Sequence, residues 1–216
     1  MAGCRCGQQE TGYRDMRDLV IASSNSGKVR EIKEVLAGQF SSFYSLLDFK
    51  GGYTVAEDQP SYAENAWKKA RKIGDHLGID TLADDSGLEV DALQGRPGIY
   101  SSRYGKTDAE RIDRLMSELD GVEEQNRGAI FKAYLAFYMP AEGRGYFFYG
   151  SLRGRIGRER KGTGGFGFDP VFHIPDLGTY MAELTIEKKN RISHRGRALF
   201  AFSHFLKGGL RVAPNQ

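Results

Sequence analysis

Cysteine is nearly absent from this 216-residue sequence, in which Cys4 and Cys6 are the only two. Such a low count excludes a disulfide framework and is typical of proteins in a reducing compartment. Long apolar runs are missing as well, because the best candidate, residues 129–139, contains Lys132 and is shorter than the roughly 18 residues of a membrane-spanning helix. A hydrophobic fraction of 40% argues against a disordered chain. We therefore expect a globular, cytoplasmic protein without a membrane partner.

The charge is distributed unevenly along the chain. Residues 150–216 contain 12 basic and 5 acidic residues, whereas residues 1–149 contain 19 basic and 23 acidic residues. A basic segment usually lies on a solvated face. It also suits an anionic ligand held opposite an acidic, metal-binding segment, or a nucleic acid. Charge alone does not distinguish these alternatives.

Strand-like and helix-like patterns alternate from residue 19 onward, which is typical of an α/β fold. Two helix starts are marked by capping boxes, Ser61-x-x-Glu64 and Thr107-x-x-Glu110, and Gly78 is placed to end the first of these helices. The predicted elements are strands at 19–22, 81–83, 129–139 and 145–157, and helices around 28–38, 61–78, 107–119 and 194–206.

No internal repeat or linker divides the sequence, so we predict a single folded domain over residues 16–210. Residues 1–15 show no periodicity and no apolar run. We therefore expect residues 1–15 to be a disordered extension and residues 211–216 to be a tail.

A polar turn between the first strand and the first helix is a candidate binding segment. Its small side chains let backbone N–H groups approach an anion, the N-terminus of the helix favours negative charge, and Lys28 adds a positive charge. A P-loop is excluded because Ala22 stands where that motif has its first glycine. The alternative is an ordinary capped turn. The turn consists of Ser23, Ser24, Asn25, Ser26, Gly27 and Lys28.

Two adjacent acids, Asp84 and Asp85, follow the predicted strand at 81–83 and precede Ser86 and Gly87. The carboxyl end of a strand is where α/β folds bind ligands. One of two such carboxylates is suited to holding Mg2+ while the other positions a ligand or a lysine, and either is suited to taking a proton from water. The alternative is a structural Asp turn in which Gly87 supplies a positive φ.

Two further segments carry residues suited to binding. The glycine-rich segment 162–170 surrounds two phenylalanines, which indicates either a backbone shaped around a planar ligand or a bulged loop whose rings fill the core. The segment Ser193-His194-Arg195 begins a predicted helix, and serine, a helix N-terminus and nearby cations suit a phosphate or a base carbonyl. A lone histidine at such a position is more often a cap or a surface residue.

Taken together and in this order, these segments resemble the inosine/xanthosine triphosphate pyrophosphatase family. The matching stretches are residues 21–28, 62–66, 83–91, 95–104, 164–172 and 192–195. The resemblance implies an α/β fold forming an elongated, two-lobed single domain, with a long mixed twisted sheet and a nucleotide cleft between the lobes. It also implies a homodimer and the Mg2+-dependent hydrolysis of ITP, dITP and XTP, which are deviant purine nucleoside triphosphates, to the monophosphate and pyrophosphate.

The resemblance also implies roles for individual residues. Asp85 would be the catalytic acid–base residue or a metal ligand, and Glu57 would be a second metal ligand. Ala56, however, stands where bacterial members usually have the first of two glutamates. Phe168 stands where tyrosine or tryptophan is common, so stacking is retained and a hydroxyl contact is lost. The implied substrate-binding residues are Ser23, Ser24, Asn25, Ser26, Gly27, Lys28, Ser86, Phe166, Gly167, Phe168, Asp169, Lys189, His194 and Arg195.

Two other functions remain open on the sequence. One is a related pyrophosphatase that acts on modified pyrimidine nucleotides. The other is a nucleotide- or RNA-binding module that uses the basic C-terminal segment. Adjacent acids at 84–85 are unfavourable against a polyanion without a metal, and no RRM, KH or zinc motif occurs. We therefore expect no nucleic-acid partner.

Overall fold

The computed structural model describes residues 17–49 and 52–208. The predicted extension at 1–15, with its two cysteines, and the predicted tail at 211–216 lie outside the described residues. The helices are α1 (Ser26–Val35), α2 (Tyr62–Leu77), α3 (Asp108–Glu118), α4 (Ile186–Ile192) and α5 (His194–Leu206). The strands are β1 (Leu19–Ile21), β2 (Phe43–Ser45), β3 (Thr81–Val90), β4 (Gly128–Met139), β5 (Arg144–Ile156), β6 (Phe172–Ile174) and β7 (Thr179–Tyr180).

The seven strands form one mixed sheet in the order β2-β1-β3-β4-β5-β6-β7. Strands β2, β1 and β3 are parallel, because α1 connects β1 to β2 and α2 connects β2 to β3, and all later pairs are antiparallel. This arrangement confirms the predicted α/β class and the mixed sheet. None of the helices within the described ranges is long and apolar enough to cross a membrane.

The predicted helix boundaries rest on capping interactions that the structure contains. The Ser61 side chain accepts a hydrogen bond from the backbone N–H of Glu64, and α2 ends at Gly78, which has a φ of 68°. The Thr107 side chain accepts one from the N–H of Glu110 at the start of α3. Each such cap satisfies an N–H group that has no partner within the helix, which is why these short patterns predict helix ends well.

The strand that contains the paired acids is longer than predicted. We expected it to end at residue 83, but all ten residues of β3 pair with β4, from Thr81 opposite Tyr138 to Val90 opposite Ala129. The alternative of an Asp turn is therefore wrong, and Gly87 does not have a positive φ. Gly87 is required for packing instead, because a Cβ there would overlap the carbonyl oxygen of Gly98.

Strand β3 contributes to three apolar clusters, which together form the core of the described residues. Leu82 belongs to the cluster under α1 and α5, Ala83 to the cluster under α2, and Leu88 to the cluster under α3. The four residues between Ala83 and Leu88 belong to none of them. The polar segment Asp84–Gly87 therefore lies where the three clusters meet, held in place by buried strand on both sides.

Candidate active site

The edge of β3 that faces β1 has no neighbouring strand between Leu82 and the isolated bridge of Glu89 with Pro97. The last backbone hydrogen bond from the β1 side runs from the N–H of Ala22 to the carbonyl of Leu82. Further along, side chains replace the missing strand: Lys69 donates to the carbonyl oxygen of Asp84 at 2.7 Å, and the N–H of Leu88 donates to Ser101 Oγ at 2.9 Å. An open edge inside a buried sheet gives a ligand access to strand side chains on both faces.

Asp84 lies on one face of β3 in contact with two cations. Lys28 Nζ lies 2.5 Å from its Oδ1, and Arg195 Nε lies 3.0 Å from its Oδ2. Burial alone would raise the pKa of this fully buried carboxyl, but the charges of Arg195 and Lys28 outweigh that effect and hold the pKa well below its ordinary value. Asp84 therefore stays ionised and orients both cations.

The ion pairs continue from Arg195 through Glu31 and Lys189. Arg195 Nη1 lies 2.5 Å from Glu31 Oε2, Lys189 Nζ lies 2.8 Å from Glu31 Oε1, and the same ammonium lies 2.5 Å from Asp169 Oδ2. We call Lys28, Glu31, Asp84, Asp169, Lys189 and Arg195 the buried ion network. Glu31 was missed by the sequence analysis. The signal was present, because Glu31 lies one helical turn after Lys28 and therefore on the same face of α1.

Asp85 lies on the opposite face of β3 and has a different environment. Its Oδ1 lies 3.5 Å from Lys69 Nζ, and its buried Oδ2 has no hydrogen-bond partner among the described residues. Burial raises the pKa of Asp85 to about 6, despite the opposing charges of Lys69 and Lys28. A carboxylate with a free oxygen and a pKa near neutrality is suited to accepting a proton.

Lys69 joins Asp85 to the second predicted metal ligand. Its Nζ lies 2.7 Å from Glu57 Oε1, so a single ammonium is in contact with both carboxylates. Lys69 was also missed by the sequence analysis. It lies on the buried face of α2 between Ala66 and Ile73, where a lysine is unexpected unless it has buried partners.

The described residues contain no group of three or more histidine, cysteine, aspartate or glutamate side chains that would hold a metal alone. Mg2+ commonly binds through one or two carboxylates and completes its six oxygen ligands with water and substrate phosphates. Asp85 Oδ1 and Glu57 Oε1 contact the same lysine, so the two carboxylates are close to one position. These two carboxylates therefore fit a magnesium ion whose remaining ligands come from substrate and water.

Two adjoining cavities lie on the Asp84 side of the site, and Asn25, Asp108 and Phe166 line both of them. Glu57 and Asp85 line neither cavity. The Ser23 side chain also lines neither and instead accepts a hydrogen bond from the N–H of Asn25. The predicted residues that line the inner cavity are Asn25, Lys28, Ser86, Phe166, Gly167, Phe168, Asp169, Lys189, His194 and Arg195. Those that line the outer cavity are Ser24, Asn25, Ser26, Gly27 and Phe166.

The two phenylalanines of the glycine-rich segment have different surroundings. The centroid of the Phe166 ring lies 4.5 Å from Lys189 Nζ and 5.5 Å from the guanidinium carbon of Arg195. The ring also lies so close to Gly27 that a Cβ there would overlap it. Phe168 is 4% exposed and belongs to the cluster under α3. The segment therefore combines the two predicted roles. Phe166 forms a wall of both cavities, as expected for a ligand-binding loop, and Phe168 packs in the core, as expected for a structural loop.

His194 is buried at the end of the inner cavity. Its ring stacks on Phe131 at 4.6 Å with an interplanar angle of 8°, and its Nδ1 has no partner among the described residues. Burial and the positive charge of Arg195 lower the pKa of His194 well below its ordinary value. The imidazole is therefore neutral at pH 7, with a ring nitrogen left to bind a ligand.

Known proteins are similar to this chain in sequence and in fold. The model of the Ham1 family matches residues 19–205. A dITP/XTP pyrophosphatase of Geobacter sulfurreducens is 46% identical over 187 residues, which are 85% of this chain and 94% of that protein. A dITP/XTP pyrophosphatase of Bacillus licheniformis is 43% identical over 196 residues, which are 88% of this chain and 98% of that protein.

Solved structures of Ham1 proteins are similar to this chain as well. A HAM1 protein from Coxiella burnetii has a TM-score of 0.79 at 38% identity, with 89% of this chain and all of that chain covered. The Ham1 protein of Staphylococcus aureus has a TM-score of 0.78 at 34% identity, with 90% of this chain and all of that chain covered. The sequence match and the shared fold both extend over most of the described residues, and on these grounds the chain belongs to the Ham1 family.

Proposed function

We propose that this protein hydrolyses the deviant purine nucleoside triphosphates dITP, ITP and XTP to the nucleoside monophosphate and pyrophosphate, in the cytoplasm. The observation that carries this proposal is the different environment of two adjacent aspartates on opposite faces of β3. Asp84 orients Lys28 and Arg195 beside the cavities, and the adjacent Asp85 presents an unpartnered buried oxygen on the other face. Relatives named dITP/XTP pyrophosphatases support the same assignment.

The purine would lie in the inner cavity against the ring of Phe166. Within the described residues, four of the five N–H groups of Arg195 donate to Asp84, Glu31 and Ser86, which leaves one Nη1 N–H for a ligand. The 6-oxo group of hypoxanthine or xanthine accepts such a hydrogen bond. The 6-amino group of adenine does not, and an unmatched buried polar group costs about 1–3 kcal/mol.

The triphosphate would extend from the inner cavity along the open edge of β3 towards Asp85. The N-terminus of α1, whose N-cap is Asn25, and the Lys28 ammonium would bind phosphate oxygens. Glu57 and the Oδ1 atom of Asp85 would hold Mg2+, which supplies charge neutralisation for the leaving pyrophosphate, and Asp85 Oδ2 would remain available to a water molecule. Lys69 would keep both carboxylates ionised and oriented towards the same position.

Asp85 would act as the general base. Its Oδ2 accepts a proton from a water molecule as the water oxygen forms a bond to the α-phosphorus. The bond from the α-phosphorus to the bridging oxygen breaks, and that oxygen leaves with the pyrophosphate. The products are the monophosphate and pyrophosphate, and the proton on Asp85 is released to solvent.

A product assay tests this function. Wild-type protein is incubated with Mg2+ and ITP, dITP, XTP, ATP, GTP or dTTP, and pyrophosphate and orthophosphate are measured separately. We expect pyrophosphate release with a strong preference for ITP, dITP and XTP. Orthophosphate release, turnover confined to pyrimidine nucleotides, or no turnover would contradict the proposal.

Replacing Glu57 with glutamine is expected to raise the half-saturating Mg2+ concentration about tenfold, since the loss of a group that supports a metal typically costs 10–100-fold in affinity. The measurement is the initial rate with ITP over a range of Mg2+ concentrations. Asp58→Asn is the matched control, because Asp58 is the adjacent acid and pairs with Lys68 rather than Lys69. An unchanged Mg2+ requirement in Glu57→Gln would remove Glu57 from the metal site.

We also propose that the protein forms a homodimer through an aromatic surface on β4, β5 and α2. This aromatic surface comprises Trp67, Tyr134, Phe147 and Tyr149. The ring centroids of Trp67 and Phe147 lie 5.5 Å apart, and those of Tyr134 and Tyr149 lie 4.7 Å apart. Phe147 and Tyr149 are 52% and 47% exposed. Trp67 and Tyr134 are half-buried beside them, and exposed aromatic side chains close together are typical of a protein interface.

Phe147→Glu is therefore expected to convert the dimer to a monomer, because it places a charge at the centre of the aromatic surface. Sedimentation velocity or light scattering measures the mass. Leu177→Glu introduces the same charged side chain at a similarly exposed residue outside that surface and should leave the dimer intact. A monomeric wild-type protein, or a dimeric Phe147→Glu variant, would contradict this interface.

A further inference from the structure

The backbone on both sides of the Phe166 ring is held by aspartates. The N–H of Phe166 donates to Asp169 Oδ2 at 2.8 Å, and the N–H of the next residue, Gly167, donates to Asp108 Oδ2 at 2.7 Å. Gly165 and Gly167 have φ values of 71° and 62°. Glycines on both sides give this segment wide backbone freedom, so the two hydrogen bonds to carboxylates restrict the backbone that carries the ring.

The two aspartates differ in origin and surroundings. Asp169 belongs to the buried ion network and lies only two residues after Gly167 along the chain. Asp108 comes from a distant element, the first residue of α3, and its side chain is 47% exposed. Asp108 therefore links the backbone next to the Phe166 ring directly to α3.

Arg111 holds the Asp108 carboxylate in place. Its Nη1 lies 2.5 Å from Asp108 Oδ1, and its Nε donates to the carbonyl of Gly105 at 3.1 Å. One carboxylate oxygen is thus bound to Arg111 and the other is directed at Gly167. A hydrogen bond from an N–H group to an ionised carboxylate is stronger than one between neutral groups.

We propose that Asp108 is a positioning residue for purine binding: by holding the N–H of Gly167, it fixes the Phe166 ring in the orientation against which the base stacks. This inference rests on the proposed function of the site. It assigns a role in substrate binding to α3, an element that contributes no residue to the predicted site. The base does not take part in bond breaking, so we expect the contact to stabilise the bound substrate and the transition state equally, and its loss to raise KM.

The folding of α3 does not depend on the contact between Asp108 and Gly167. The helix is capped by Thr107 and is anchored in the core by Ile112 and Leu115, which are 3% and 0% exposed. Removing the Asp108 carboxylate leaves these interactions in place. The effect of a substitution is therefore separable from loss of fold.

The test compares Asp108→Ala with Asp113→Ala, a control on the same helix whose carboxylate pairs with Arg160. Loss of one hydrogen bond predicts that Asp108→Ala raises KM for ITP about 3- to 10-fold with kcat unchanged, while Asp113→Ala changes neither. Asp108→Asn retains an oxygen acceptor and should show a smaller rise in KM. A merely structural role would instead lower kcat together with the melting temperature.

A double-mutant cycle and a binding measurement complete the test. In a Phe166→Ala background, Asp108→Ala should raise KM no further, since the ring it positions is absent. Calorimetric titration of ITP without Mg2+ should show the same 3- to 10-fold weakening for Asp108→Ala, and it does so even if the wild type fails to hydrolyse ITP. Unchanged KM and binding in Asp108→Ala, or full additivity with Phe166→Ala, would overturn the inference. Absent turnover with the expected binding pattern would count against the proposed hydrolysis alone.

Discussion

Asp85→Asn is expected to lower kcat for ITP by about 10²–10⁴-fold, the contribution typical of a general base. The physical reason is the state of its carboxyl group. Oδ2 is buried without a hydrogen-bond partner among the described residues, and burial raises the pKa of Asp85 to about 6. An asparagine amide has nearly the same shape but accepts no proton at neutral pH. Single-turnover hydrolysis of ITP measures the loss directly.

The matched control is Asp58→Asn, an exposed acid whose loss should leave kcat unchanged. Fold is checked by the melting temperature without divalent cations. An acid whose pKa is raised on folding weakens the fold as the pH rises from about 4 to 6, because ionisation is easier in the unfolded chain. Asp85→Asn removes this destabilising ionisation, so the melting temperature of the variant at pH 8 should equal or exceed that of the wild type. Full activity in this variant would remove Asp85 from the mechanism.

Arg195→Met is expected to destabilise the protein by about 3–5 kcal/mol, because it leaves Asp84 and Glu31 as buried charges without their main partner. Arg195 is 2% exposed and contacts both carboxylates at 2.5–3.0 Å. For a protein of this size the loss corresponds to a fall in melting temperature of roughly 6–20 °C. Differential scanning calorimetry at pH 7 measures the fall.

Arg197→Ala is the control on the same helix, since the exposed Arg197 donates, among the described residues, only to the carbonyl of Ser151. The difference in melting temperature between Arg195→Met and the wild type should become smaller as the pH falls from 7 to 4. In the wild type the pKa values of Asp84 and Glu31 are lowered, so the stabilisation by their ionised forms is lost only below about pH 4 and changes little between pH 7 and 4. In the variant, protonation relieves the unpaired charges. A fall of less than about 2 °C at pH 7 would show that the buried ion network does not depend on Arg195.

Local patterns predicted those parts of the fold that local interactions stabilise. The caps at Ser61 and Thr107 and the helix end at Gly78 lie where the sequence places them. A cap depends on groups three or four residues apart, so a short pattern contains all the information needed. The same holds for the turn at 23–28, where the Asn25 side chain accepts the N–H of Lys28.

The end of β3 illustrates a failure of local prediction. The stretch Asp84-Asp85-Ser86-Gly87 is composed of residues typical of a turn, and we predicted the strand to end before it. Pairing with β4, about fifty residues further along the chain, extends the strand through it to Val90. The pairing outweighs the local preference because every backbone group of that edge is satisfied by a continuous neighbouring strand.

The sequence by itself determined the alternation of strands and helices, and it predicted the segments and the acid, Asp85, on which the proposed site rests. Only the tertiary structure decided which charges meet. Arg195 contacts Asp84 across 111 positions and Glu31 across 164 positions, and Lys69 reaches from the buried face of α2 to Asp85. The reason is physical: a charge is tolerated inside a protein only beside its partner, and partners that are distant in sequence are brought together by the sheet and its packed helices.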